Sequence, residues 1–512
     1  MDFLVTNARV IDQVSKEESK ASVAVVDDRI IDISHEDSSL IPLDKFDRVI
    51  DAQGKFLLPG FFDIHSRADL SLISDPLRLS AISQGILVEV IGQDGLGVAP
   101  ISTKNYLAHY QYVNSSLGNS QLEWRWQSVF NYLDKLNNKT SSNVIFYAPY
   151  GTMRLEASLN PKLSLEGESA LVYILERAMD EGAVGLSIST NQVPAVLGWL
   201  DTNELIPLLK VLHKKKGILS VDVQGSKNIL KDIEKAVLLA KNHGLKLHIS
   251  RLSVQKEVEL DKIFNYLEKS KKDLLSILID SSPYTGRLLR FIDFLPSNLR
   301  NLSSEELRIK LRRPETLEKS FNNSEIAVED IESARLVTTS RRDMKRHEGS
   351  RLIDIALELD ESVYQTLLKF LEFDSEETFL EYQATSDDVL KKIFAQNYVL
   401  PASTGCVKGR MVPEMFSSIP MYFNNFANMD VFDLVQRLCD LPSSFYAVKW
   451  GVARNILANF ILIDPQNFNY SFDYNSPGEL AKGIEMAVVN GKIILEKNKL
   501  SSLRSGRVLS WF

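Results

Sequence analysis

The hydrophobic pattern of this chain changes period several times. Over residues 3–11, 22–33 and 48–52 the apolar positions form short runs, rich in Val and Ile and separated by polar turns. That pattern predicts strands. It returns at 456–463 and 486–495, and the second of these runs folds at Asn490-Gly491, a pair that accepts the positive φ angles of a two-residue hairpin turn. Because the ends of a compact domain usually lie near each other, two distant β-rich ends predict one small β-sandwich built from both termini.

Between the ends, eight apolar runs lie at 57–64, 86–91, 144–148, 183–188, 218–223, 245–249, 275–279 and 398–402. Amphipathic stretches such as 203–214, 230–242 and 260–270 separate them, the pattern of parallel strands with helical crossovers. Eight such repeats predict a closed (β/α)8, TIM-like barrel of the α/β class. The seventh link, 285–396, is far longer than the usual connection of about 2–6 residues. Its charged helical pattern over 303–312 and 350–359 predicts a helical insertion before strand eight. The chain then divides into 1–56 (sandwich, first part), 57–284 (strands one to seven), 285–396 (insertion), 397–455 (strand eight and closing helices) and 456–512 (sandwich, second part).

Composition narrows the function classes. Hydrophobic residues at 44% and charged residues at 25% are those of an ordinary globular protein. The 67 acidic against 59 basic side chains leave a net charge of -8, which opposes nonspecific attraction to phosphate backbones, so no nucleic acid partner is expected. Two cysteines, Cys406 and Cys439, rule out a disulfide framework and suggest a reducing compartment. Residues 1–10 carry no export signal, and no run of about 18 uncharged apolar residues occurs. A soluble cytoplasmic protein without membrane contact is expected.

In a barrel of this kind chemistry sits at the C-terminal strand ends. That rule selects Asp63, His65 and Arg67 on strand one, Asp94 after strand two, Asp222 and Gln224 on strand five, and His248 and Arg251 on strand six. Asp280 and Tyr284 follow from strand seven, and Ser403, Thr404 and Cys406 from strand eight.

The segment Leu57-Leu58-Pro59-Gly60-Phe61-Phe62-Asp63-Ile64-His65 resembles the first-strand motif of the amidohydrolase superfamily, in which an Asp-x-His-x-His stretch opens a metal site. Further segments are similar to the D-aminoacylase (N-acyl-D-amino-acid deacylase) branch. They are Gly92-Gln93-Asp94-Gly95, Ala99-Pro100, Glu181 to Ser187, Thr202 to Leu205, Pro283-Tyr284-Thr285, Asp464-Pro465 and Val489 to Lys492. The resemblance spans almost the whole chain. It implies a barrel with a small β-sandwich from both termini, an insertion before strand eight, and zinc-dependent hydrolysis of the linear amide bond of N-acyl D-amino acids.

Carried over residue by residue, the resemblance breaks at the chemistry. The second His of the first-strand pair is Arg67, and the metal-binding Cys after strand two matches Asp94. The metal-binding His residues of strands five and six match Asp222 and Arg251. The catalytic Asp of the family's Ser-Asp-Gly turn matches Thr404, and only His65 is unchanged among these positions. Tyr284 falls where the family lines its acyl pocket. A guanidinium stays protonated and offers no lone pair, so it can neither ligate zinc nor take a proton from metal-bound water.

No catalytic residue is therefore assigned and no cofactor is expected, although the resembled family uses zinc. If an ion is held, His65, Asp94 and Asp222 are its candidate ligands, a set suited to a hard cation. Two positions became cationic, Arg67 and Arg251, and two anionic, Asp94 and Asp222, so guanidinium–carboxylate pairs are expected to occupy the place of the metal. Two readings stay open. One is a hydrolase of small C–N substrates with atypical ligands. The other is a non-catalytic barrel binding a small acidic molecule, such as an N-acyl amino acid, or a protein partner.

Overall fold

The computed structural model of the chain describes residues 2–11, 17–35, 43–117, 124, 126–160, 163–190, 202–224, 228–271, 276–296, 299, 304–322, 328–373, 378–403, 412–473 and 478–511. These form two compact units. The first comprises Met1–Leu252, Leu260–Pro283 and Lys391–Phe512, and the second Ser253–Glu259 with Tyr284–Leu390.

In the first unit, five strands open the chain: β1 (Phe3–Ile11), β2 (Glu18–Val26), β3 (Arg29–Ser34), β4 (Arg48–Asp51) and β5 (Phe56–Pro59). Barrel strands follow as β6 (Phe61–Asp63), β7 (Ile86–Ile91), β8 (Asn143–Pro149), β9 (Ala183–Ser189), β10 (Ile218–Asp222), β11 (Lys246–Ser250) and β12 (Ile277–Ser281). The second unit holds β13 (Gly286–Arg290), β14 (Arg335–Thr338) and β15 (Phe379–Gln383). The eighth barrel strand is β16 (Val399–Pro401), and β17 (Phe460–Ile463), β18 (Ile484–Val489), β19 (Lys492–Glu496) and β20 (Lys499–Leu500) close the chain.

The barrel strands pair in parallel in the order β16-β12-β11-β10-β9-β8-β7-β6 and form a nearly closed (β/α)8 barrel. Every residue of β7, β8, β10 and β12 is buried, as continuous apolar strands covered on both faces require. The crossover helix Ile229–His243 illustrates the local logic. The Asn228 side chain caps its first turn, and Gly244, at φ 62, ends it in the left-handed conformation.

The two chain ends meet in one continuous nine-stranded sheet, with β5 antiparallel to β17 through Leu57↔Leu462 and Leu58↔Ile461. Asn490 and Gly491 adopt positive φ at the β18–β19 turn. The apolar run 57–64 is not one strand. Pro59 ends a strand of the terminal sheet, and the chain re-enters the barrel at Phe61. Gly60 makes this step possible, since a Cβ there would collide with the Leu87 side chain. An unbroken apolar run hides a change of sheet, because both sheets bury it.

The insertion is not purely helical. Its unit contains an antiparallel sheet, β13-β15-β14, packed with short helices around Phe291, Phe294, Leu317, Phe321, Leu336 and Ile355. Tyr284, expected to line a pocket, belongs to this unit and is buried. Among the described residues no helix is long and apolar enough to cross a membrane.

Candidate functional site at the barrel mouth

At or just beyond the C-terminal ends of β6, β7, β10 and β11 the chain delivers His65, Arg67, Asp94, Asp222 and Arg251, all but Arg67 buried and the Arg67 side chain only 12% exposed. Asp94 and Arg251 sit at φ 62 and φ 55. A side chain with a Cβ is disfavoured there by roughly 1–2 kcal/mol, and such outliers persist only where the surroundings fix them. Both residues are held by ion pairs.

The pairs form one chain of charges. Arg67 donates through Nε (3.0 Å) and Nη2 (2.6 Å) to Asp94 Oδ2. Arg251 donates through Nε to Asp222 Oδ1 (3.0 Å) and through Nη2 to Asp222 Oδ2. The same Arg251 Nε lies 3.4 Å from Asp94 Oδ1, without hydrogen-bond geometry. Asp222 is further held by the Ser189 hydroxyl (2.6 Å) and the Gln224 amide (3.0 Å). Burial works against the charge on Asp94, but Arg251, His65 and Arg67 outweigh it and hold its pKa well below the carboxylate range. Burial likewise opposes the charge on Arg251, and Asp222 and Asp94 overcome it.

Behind the arginines lies a second polar layer. His65 Nε2 is 3.2 Å from Asp94 Oδ2, while its Nδ1 is 2.5 Å from Ser250 Oγ and 3.3 Å from Asp280 Oδ2. Burial would lower the His65 pKa, but Asp94 and Asp280 raise it to about 9. His248, selected by the strand-end rule, is bound at Nε2 by Asp280 (2.9 Å) and at Nδ1 by the Ser220 hydroxyl (3.1 Å). On strand one, Asp63 accepts from the Ser403 hydroxyl (2.5 Å), the Ser403 amide and the His65 amide. It ties Ser403, which follows strand eight, to the end of strand one. Thr404 and Cys406 lie outside the described residues, and the described cysteine, Cys439, is buried with its thiol directed at the Pro59 (3.5 Å) and Gly60 (3.6 Å) carbonyls.

Ser250, His65 and Asp94 stand in the order of a nucleophile, a base and an orienting carboxylate, yet they cannot act as one. An imidazole with a pKa of about 9 is already protonated at neutral pH and has no lone pair to activate a hydroxyl. Ser250 is also fully buried.

A zinc ion fits these residues poorly. Among the described residues no group of three or more His, Cys, Asp or Glu side chains is placed to hold a metal, and guanidiniums bind Asp94 and Asp222. A divalent ion about 4 Å from a guanidinium would meet repulsion on the order of 8 kcal/mol at an effective dielectric of about 20. Losing even the partner of a metal ligand costs about 10- to 100-fold in affinity.

Two side chains that sequence reasoning passed over complete the rim. Ser189 ends β9, and Thr190 follows with its amide on the Asp222 carbonyl (3.0 Å). The strand-end rule would have found them had strand four been read two residues further. Two histidines away from the mouth are buried as well: His109, 3.0 Å from Glu156, and His347. Each sits on a helical segment whose inner face a single-residue view cannot identify.

No protein-family model matches the chain. It is similar along nearly its whole length to two proteins of Alcaligenes xylosoxydans xylosoxydans. An N-acyl-D-aspartate deacylase is 23% identical over 99% of this chain and 95% of that protein, and a D-aminoacylase is 22% identical over 99% and 97%. Among solved structures, an N-acyl-D-glutamate deacylase from Bordetella bronchiseptica, complexed with zinc and a phosphonate inhibitor, superposes with a TM-score of 0.78 at 20% identity, covering 100% of this chain and 99% of that one. In sequence over its full length, and in fold, the chain is similar to the D-aminoacylases and N-acyl-D-amino-acid deacylases of the amidohydrolase superfamily.

Proposed function

We propose that this protein binds a small molecule of the amino-acid class at its barrel mouth and does not carry out zinc-dependent amide hydrolysis. One observation carries the reading: Arg251 Nε lies between two carboxylates, 3.0 Å from Asp222 and 3.4 Å from Asp94, with Arg67 on the far side of Asp94. Permanently charged guanidiniums thus do the work of a cation at the positions that match metal ligands, and they supply neither a lone pair nor an ionisable water. The ligand class follows from the full-length likeness to deacylases of N-acyl amino acids and from a mouth that retains hydrogen-bonding groups. A cytoplasmic location accords with the two cysteines and is part of the same proposal.

The test pairs metal analysis with turnover. The expected outcome is zinc well below one equivalent in protein purified without chelator, and no free amino acid released from N-acyl D- and L-amino acids, with or without added zinc. Stoichiometric metal together with chelator-sensitive hydrolysis would overturn the proposal.

A further inference from the structure

The mouth still has hydrogen-bonding capacity after its own ion pairs are made. Asp94 is 1% exposed, yet its Oδ1 accepts no hydrogen bond, and the buried Thr190 hydroxyl is also unpaired. The two belong to neighbouring rims, since a Cβ placed on Gly95, next to Asp94, would meet the Ser189 amide nitrogen at 3.5 Å. On the donor side, Arg67 and Arg251 each spend Nε and Nη2 on carboxylates, and neither Nη1 bonds to any described residue. A buried carboxylate oxygen without a donor costs stability. Its persistence beside unspent guanidinium nitrogens marks a place where a guest supplies both a donor and an acceptor.

Charge decides what kind of guest. The two guanidiniums and the protonated His65 imidazole cancel the carboxylates of Asp94, Asp222 and Asp280. A bare acid would therefore bring an uncompensated negative charge into a buried cluster with no positive charge to spare, and a bare amine an uncompensated positive one. Such charges are expensive to bury. A guest with both charges adds none.

Resting on the ligand-binding reading above, we infer that the ligand is a free α-amino acid bound as its zwitterion, its ammonium on Asp94 Oδ1 and its carboxylate on the Nη1 groups of Arg67 and Arg251. This departs from the small acid that the two arginines alone suggest. They have already met their counter-ions.

Calorimetric titration of the intact protein tests it, using the common amino acids as both enantiomers, each beside its N-acetyl derivative and its deaminated carboxylic acid. For the best-fitting side chain, the free amino acid is expected to bind at least about tenfold more tightly than either monoanion, a difference of about 1.4 kcal/mol. If the N-acetyl or deaminated acid binds as tightly or more tightly, the zwitterion assignment is wrong while the ligand-binding function stands. If no compound of any of the three classes binds, both fall.

Discussion

Two buried ion clusters lie close together in sequence, and they are built to opposite standards. Below the mouth, Glu89 on β7 accepts from Arg78 Nε (2.9 Å) and Ser142 Oγ (2.7 Å) on one oxygen, and from Arg78 Nη2 (2.8 Å) and Ser66 Oγ (3.0 Å) on the other. Each oxygen has two donors, which is how a buried charge is made tolerable. Five residues further on, Asp94 is equally buried, yet it leaves one oxygen without a hydrogen bond and sits at a positive φ. Since the same stretch of chain can saturate one carboxylate fully, the shortfall at the other is a property of the site. On the reading proposed above, it is where the ligand binds.

The sharpest way to break this contrast is to delete one partner from each cluster. Arg78→Met and Arg251→Met should each cost about 3–5 kcal/mol, because each leaves a carboxylate buried without its guanidinium. The double variants then test the pairing. Arg251→Met with Asp222→Leu removes both charges, strands only the Ser189 hydroxyl and the Gln224 amide, and should recover about half of the single loss. Arg78→Met with Glu89→Leu strands the hydroxyls of Ser66 and Ser142 and should recover a similar share. Denaturant midpoints of the four variants check this. Single and double variants at the mouth that unfold alike would show that the ion pairs do not assemble it.

The clusters should also fail at opposite ends of the pH scale. His65 is opposed by burial but lifted by Asp94 and Asp280 from 6.5 to about 9. Its stabilising contribution is therefore complete below the unfolded value and is lost as pH rises through the folded one, about 3 kcal/mol between pH 6.5 and 9 at about 1.4 kcal/mol per unit. Glu89 runs the other way. Burial raises its pKa, but Arg78 and the serines bring it below its ordinary 4.5, so its contribution is present above that value and fades in acid. Denaturation followed from pH 5.5 to 9.5 should show an alkaline loss that His65→Gln removes and Arg78→Met leaves in place. An alkaline limb that survives His65→Gln would assign it to another group.

Much of this was legible in the residues. The eight barrel strands, the sheet built from both ends, and a mouth containing Arg67, Asp94, Asp222 and Arg251 follow from period, turn chemistry and the strand-end rule. What stayed hidden is physical in each case. The Pro59-Gly60 break is invisible because both sheets bury the same apolar run. The strands of the second unit lie among charged residues, where alternation is weak. The Arg78–Glu89 pair joins a left-handed turn to a strand interior, and no spacing rule links those positions. The unpaired state of Asp94 Oδ1 depends on angles, which residue types alone do not give.

The smallest expected effect is also the most discriminating. Thr190→Val swaps a buried hydroxyl for a methyl of nearly the same shape. Where the hydroxyl is hydrogen-bonded, such a change removes a bond and destabilises. Where it is unpaired, as here, the change removes a desolvation penalty of about 1–3 kcal/mol, part of which is returned by imperfect packing. The ligand-free variant should therefore be more stable than the parent by about 1 kcal/mol, read as a rise in denaturant midpoint. A ligand ammonium that reaches the Thr190 hydroxyl as well as Asp94 Oδ1 gives that hydroxyl a partner in the parent protein alone, and saturating ligand should then narrow or reverse the difference. A loss of stability in the ligand-free variant would mean that Thr190 is already satisfied within the fold. The mouth would then be saturated in the manner of the Arg78–Glu89 cluster, leaving less for a ligand to satisfy.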